Sequence, residues 1–117
     1  MTKRPIAVTI LSAVYIVMGA VGFIYHFREL AAPGPSFALA CVIEAIRVLA
    51  IVAGIFMLKA RDWARWLAIA WIALHVLISF YNGWQEVVMH AVFLAVIVFF
   101  LTRPAVNEFF RRSAPRI

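Results

Sequence analysis

Acidic residues are scarce in this chain: five Asp and Glu stand against eleven Lys and Arg in 117 residues, and charged residues of both signs make up only 14%. A soluble domain carries about a quarter of its residues charged. The deficit excludes that class, and a hydrophobic content of 67% with a mean hydropathy of +1.02 points to a protein that lives in lipid. Cysteine is nearly missing as well. Cys41 alone forms no internal disulfide and supplies no cysteine-rich metal framework. The signatures of common chemistries are also absent, with no P-loop, no Gly-x-Ser-x-Gly elbow, no zinc spacing, no glycine-rich dinucleotide fingerprint and no c-type haem attachment sequence.

What the chain does have is long apolar runs. Four spans of about 20 residues, joined by short connections, account for nearly all of it, so a single integral membrane domain over residues 1–117 is expected. The first span follows Lys3, Arg4 and Pro5 and runs from Ile6 to about Tyr25. A signal peptide also begins in this way, but the run is long for one and is followed by Tyr25, His26, Phe27 and Arg28 where a cleavage site would need small residues. Pro33-Gly34-Pro35 forces a turn. The second span covers Phe37 to Leu58, the third about Trp63 to Phe80, and the fourth Trp84 to Leu101, with Asn82-Gly83 as a tight turn and Arg103-Pro104 as a stop. Gly19, Ala20 and Gly22, and the Ala50/Gly54 pair, mark places where helix backbones can approach closely. The tail from Ala105 to Arg112 reads as a surface helix, with Val106, Phe109 and Phe110 toward lipid and Arg111 and Arg112 toward headgroups. Trp63 and Trp66 read as interfacial anchors, and Arg65 as a side chain that snorkels to the headgroups.

The net charge of +6 would suggest a nucleic-acid partner in a soluble protein; in a membrane protein basic residues first report orientation. Lys3, Arg4, Lys59, Arg61, Arg65, Arg103, Arg111, Arg112 and Arg116 fall at one end of an even-numbered set of spans, and only Arg28 at the other. The reading is therefore all-α, a four-transmembrane-helix up-down bundle with both termini in the cytoplasm. Its partners are the lipid bilayer and either a second copy or another membrane protein, with no nucleic acid.

Four ionisable residues contradict the apolar background. Glu44 and Arg47 lie inside the second span, where each charge costs roughly 3 kcal/mol or more to insert, and at three residues apart they share a helix face and suggest an ion pair. His75 and His90 lie in the third and fourth spans. At about 1.5 Å rise per residue all four fall within about 8 to 15 Å of the outer surface, with Ser79, Asn82, Gln85 and Glu86 continuing the polar face outward. This predicts one polar core of Glu44, Arg47, His75 and His90 in the outer half of the bundle. Each has a plain structural reading: a self-neutralising pair, and neutral imidazoles bonded to neighbouring helices. The histidines are also candidate cofactor ligands, since imidazoles from facing helices hold a non-covalent haem in bundles. No metal site accompanies them. Acid–base chemistry on Glu44, His75 and His90 leaves it open whether the protein is an enzyme, and a transporter would need dimerisation, because no inverted repeat is visible.

The stretch Gly-Ile-Phe-Met-Leu-Lys-Ala-Arg-Asp-Trp-Ala-Arg-Trp-Leu from Gly54 to Leu67, with the ending Arg103-Pro104-Ala105-Val106 to Phe109, resembles a broad group of small uncharacterised bacterial four-helix integral membrane proteins. The resemblance implies a bacterial inner-membrane location and carries no activity with it. The function expected on all these grounds is that of a binding, accessory or assembly component, with a bis-histidine haem protein or a small intramembrane enzyme as the alternative. A reporter fused after Ile117 is expected to be active only in the cytoplasm and one inserted near Gly34 only outside; a periplasmic signal from the C-terminal fusion refutes the four-span topology.

Overall fold

The structure is a computed structural model that describes residues 4–31 and 37–112. Among them it contains five α-helices and no strand: α1 (Ile6–Ala31), α2 (Phe37–Leu58), α3 (Asp62–Ser79), α4 (Trp84–Leu101) and α5 (Pro104–Arg112). Four segments are long and apolar enough to cross a membrane, namely Ile6–Arg28 of α1 and the whole of α2, α3 and α4. The second and fourth spans have the boundaries expected from hydropathy. α3 is displaced by one residue at each end, and α1 runs two turns past Tyr25, because nothing between Tyr25 and Ala31 breaks a helix. The expected turn at Pro33-Gly34-Pro35 lies outside the described residues. Pro104 stops α4 and opens α5 in the position where its missing N–H costs nothing.

α2 packs against α1 on one side and α3 on the other, α3 packs against α4, and α4 has a thin contact with α1. The closest approach is between α1 and α2, and it is made at glycines. A Cβ on Gly54 would stand 2.6 Å from Ile16 Cγ1 and 2.7 Å from the Ser12 carbonyl oxygen, and one on Gly19 would stand 2.6 Å from Ile51 Cγ1 and 2.8 Å from the Arg47 carbonyl oxygen. Residue numbers rise on one helix as they fall on the other. Without side chains in the way, dispersion contacts form between backbones, the main source of association where lipid is as apolar as leucine.

The turn from α2 to α3 closes with two backbone bonds, Arg61 N–H to the Phe56 carbonyl at 2.9 Å and Ala60 N–H to Met57 at 3.0 Å. This double closure places Ala60 at φ 62°, a left-handed position usually given to glycine and costing an alanine about 1 to 2 kcal/mol. The same end of the bundle is tied by arginines. Arg4 Nη1 donates to the Leu58 carbonyl at 3.2 Å, and Arg65 Nη1 to the Leu101 carbonyl at 3.0 Å, so the last carbonyls of α2 and α4 each receive a cation.

Two expectations are corrected here. Arg65 does not reach toward headgroups: it is buried, with Asp62 2.7 Å from Nε, Asn107 accepting a further bond from Nη1, and the Phe110 ring 5.1 Å beneath its guanidinium. Val106, Phe109 and Phe110 do not face lipid, since all three are buried in the core beside Leu101 and Ala64, Phe110 to 1% exposure. α5 has the amphipathic pattern of a surface helix, and the surface its apolar face covers belongs to the protein. On its outer face Glu108 accepts from Arg111 at 2.7 Å and from Arg112. These bonds, that from Arg111 first, hold its carboxyl below the ordinary carboxylate value, so the link persists above that value and is lost as pH falls through the lowered one.

Gly54→Ala forces its methyl group against the backbone of α1 at Ser12, and overpacking of this kind costs about 1 to 3 kcal/mol. The variant is expected to unfold at lower temperature than the wild type in the same detergent; an unchanged midpoint refutes the contact.

Candidate functional site

A cavity of about 460 Å³ lies between the four long helices and is lined by Arg47 and Ile46 of α2, His26 and Met18 of α1, Trp71, His75 and Ser79 of α3, and His90, Glu86 and Phe93 of α4. Its volume is within the range of small-molecule sites. The helices are held around it by two long-range bonds from buried rings: Tyr15 O–H donates to the Ala68 carbonyl at 2.7 Å, joining α1 to α3, and Trp71 Nε1–H donates to the Ile46 carbonyl at 2.8 Å, joining α3 to α2. The Tyr15 and Trp71 rings lie 5.4 Å apart, so Trp71, which lines the cavity, and Tyr15 behind it are each fixed at the polar end.

Arg47, His75 and His90 are brought together on this cavity, while Glu44 is not among its lining residues. Glu44 is 4% exposed, two helical turns from Ile51 on α2, and neither carboxyl oxygen has a hydrogen-bond partner. The ion pair suggested by the three-residue spacing is not formed among the described residues. Arg47 turns the other way because of its neighbour: Gly22 of α1 has no side chain, and a Cβ there would stand 2.8 Å from both Cδ and Nε of Arg47. The guanidinium passes through that gap to the cavity edge, where its Nε is buried without a partner. A guanidinium is not neutralised by losing its proton, so the charge persists at the cavity edge.

The two imidazoles are oriented by their own helices. His75 Nδ1 lies 2.8 Å from the Trp71 carbonyl, and the ring stacks on the Trp71 indole at 3.8 Å between centroids. Ser79 O–H donates to the His75 carbonyl at 2.6 Å and therefore has no proton left for His90, whose Nδ1 lies 2.7 Å from Ser79 Oγ and 2.9 Å from the Glu86 carbonyl. Both of those oxygens accept, so His90 Nδ1 is the donor, and by the same argument His75 Nδ1 donates to Trp71. In their neutral forms both rings then present Nε2 with its lone pair. Backbone bonds from Nδ1 are the common way of fixing which imidazole nitrogen is available for binding.

The two imidazole centroids are 5.9 Å apart, and Ser79 bridges α3 directly to His90 of α4. Among the described residues no three His, Cys, Asp or Glu side chains gather at metal-binding distance. Ser79 is spent on a backbone carbonyl and is no free nucleophile. The arrangement supplies a cation with an unpartnered Nε, two oriented acceptors and an apolar body, which together suit binding.

His26 and Met18 line the cavity without having been singled out in the sequence. His26 falls in the part of α1 that was expected to be a connection, and the absence of any breaker before Pro33 was the available signal. No family model, no curated protein and no solved structure matches the chain.

The bonding order fixes an observable. Neutral His75 and His90 are expected to show imidazole ¹⁵N shifts of the Nδ1–H form, and Ser79→Ala to leave that form intact while lowering stability by about 0.5 to 1.5 kcal/mol; an Nε2–H signal from either ring contradicts the network.

Proposed function

We propose that this chain is a small integral membrane binding protein of the bacterial inner membrane, an up-down bundle with both termini on the cytoplasmic side, whose cavity takes a ligand with a polar head and an apolar body. The observation that carries the reading is Arg47. A cation within a membrane helix is normally paired with protein, and here the guanidinium leaves Glu44 one turn away, crosses Gly22, and ends at the cavity with its Nε unpartnered. Among the described residues Glu86 is the acidic residue on the lining, and it is exposed. A bound ligand supplies the missing acceptor.

The guanidinium refines the head group. Arg47 only donates and keeps its charge, so the head group it selects is an anionic acceptor, as a carboxylate is through its two oxygens. Ile43, Ile46, Ile72 and Phe93 take the apolar part.

The test uses the purified protein in phosphatidylcholine nanodiscs with hexanoic acid as probe. Hexanoic acid is expected to shift the His75 and His90 Nε2 resonances saturably, and Arg47→Gln to weaken binding roughly tenfold or more, the worth of a hydrogen bond to a charged group. Absence of a saturable shift, or an affinity unchanged by Arg47→Gln, rejects the reading, and a Soret band in the purified protein supports the bis-histidine haem alternative instead.

A further inference from the structure

The imidazoles on the cavity call for something that an anion lacks. His75 and His90 both line it, and each commits its Nδ1–H to oxygen acceptors of the bundle. His75 is 2.8 Å from the Trp71 carbonyl, and His90 is 2.7 Å from Ser79 Oγ and 2.9 Å from the Glu86 carbonyl. The nitrogen left on each neutral ring is Nε2, which only accepts. A carboxylate has nothing to donate to it. Set against Nε2, it meets a lone pair with a lone pair.

Charge points the same way. Glu86 lies on the cavity one turn from His90, on the same face of α4. Its carboxylate and the Arg47 guanidinium are, among the described residues, the acidic group and the arginine of the lining, one of each sign and on different helices. A lone anion answers Arg47 and brings a like charge to Glu86; a lone cation does the reverse. A molecule that carries both an anionic acceptor and a cationic donor meets each pole with its opposite, and adds no net charge to a site within the membrane.

The space suits a compact molecule of this kind. A carboxylate and an ammonium on one carbon form the smallest such head, and a cavity of about 460 Å³ is large enough to hold it together with a short apolar group. Ile43, Ile46, Ile72 and Phe93 provide the apolar surface.

From these features we infer that the ligand is a zwitterion, an α-amino acid with an apolar side chain. Its carboxylate accepts from Arg47, its ammonium donates to Nε2 of His75 or His90 on the side of Glu86, and its side chain lies among the isoleucines and Phe93. The inference rests on the binding reading given above and adds to the anionic head a second group of opposite charge. It employs the two anchored imidazoles and Glu86, which an anion alone leaves without a partner.

Three probes with one chain in common separate the contributions: hexanoic acid carries the anion, pentylamine the ammonium, and L-norleucine both. At about pH 7 each is in that ionised form. They are titrated into the purified protein in phosphatidylcholine nanodiscs, with the imidazole ¹⁵N resonances of His75 and His90 as the readout. L-Norleucine is expected to bind about tenfold or more tightly than either of the others, the worth of a charged hydrogen bond, and to shift Nε2 as a lone pair that gains a donor. Glu86→Gln is expected to weaken L-norleucine by about two- to fivefold, as suits an exposed charge, and to tighten hexanoic acid by removing a like charge. If hexanoic acid binds as tightly as L-norleucine, the ammonium has no partner and this inference falls while the binding reading stands. If pentylamine matches L-norleucine, the carboxylate contributes nothing and the reading of Arg47 falls as well. If phosphatidylethanolamine in the disc weakens L-norleucine tenfold or more, a lipid head group of the same polarity is the occupant and the amino acid is wrong. If neither hexanoic acid nor L-norleucine gives a saturable shift, the binding reading fails and takes this inference with it.

Discussion

The backbone contact between α1 and α2 at Gly19 and Gly54 is the constraint on which the rest of the structure depends. It holds the two helices so close that Ile51 and Ile16 each fill the space a neighbouring Cβ would need. In lipid, apolar side chains gain little by leaving one hydrocarbon environment for another, so shape complementarity has to supply the association. Fixing α1 against α2 fixes their register, and the register puts Gly22 beside Arg47. That third glycine opens a passage for a side chain where the other two admit a backbone. The polar chemistry of the cavity therefore follows from an apolar packing solution one turn away.

The spans were legible in the sequence because hydropathy and length act locally and the bilayer sets a common scale for them. α2 and α4 begin and end as the sequence indicated, and the small residues of α1 and α2 do lie where the helices meet. What one helix does to the side chains of another was harder to read. Glu44 and Arg47 have the spacing of an ion pair, yet spacing gives only proximity, and the direction each side chain takes was decided by Gly22 on a different helix. α5 illustrates the same limit. Its periodic apolar face shows that something covers Val106, Phe109 and Phe110 without showing what, and the ends of α3 and α4 cover it where lipid was expected. Arg65 was then drawn inward, because burying Leu101 left a helix-terminal carbonyl in need of a donor. The three cavity-lining members of the expected polar core were legible from depth alone, since facing helices of similar length bring residues of equal depth together; Glu44 shares that depth and differs in azimuth.

The two ends of the bundle treat their polar groups differently, and the difference separates stability from function. At the basic end most hydrogen-bonding capacity is met: Arg4 meets the last carbonyl of α2, Arg65 meets that of α4 along with Asn107, and Thr102 and Asn107 close the corner between α4 and α5, while Arg65 Nε has an ion contact with Asp62 and no hydrogen bond. At the other end Arg47 Nε and both oxygens of Glu44 are buried without a hydrogen-bond partner. Unmade bonds in a low-dielectric interior destabilise a fold by about 1 to 3 kcal/mol each, and apolar residues of similar size would remove that cost. Of these groups Arg47 is the one that lies on the cavity, so under the proposed binding role an acceptor on the ligand offsets its share of the cost while that of Glu44 remains.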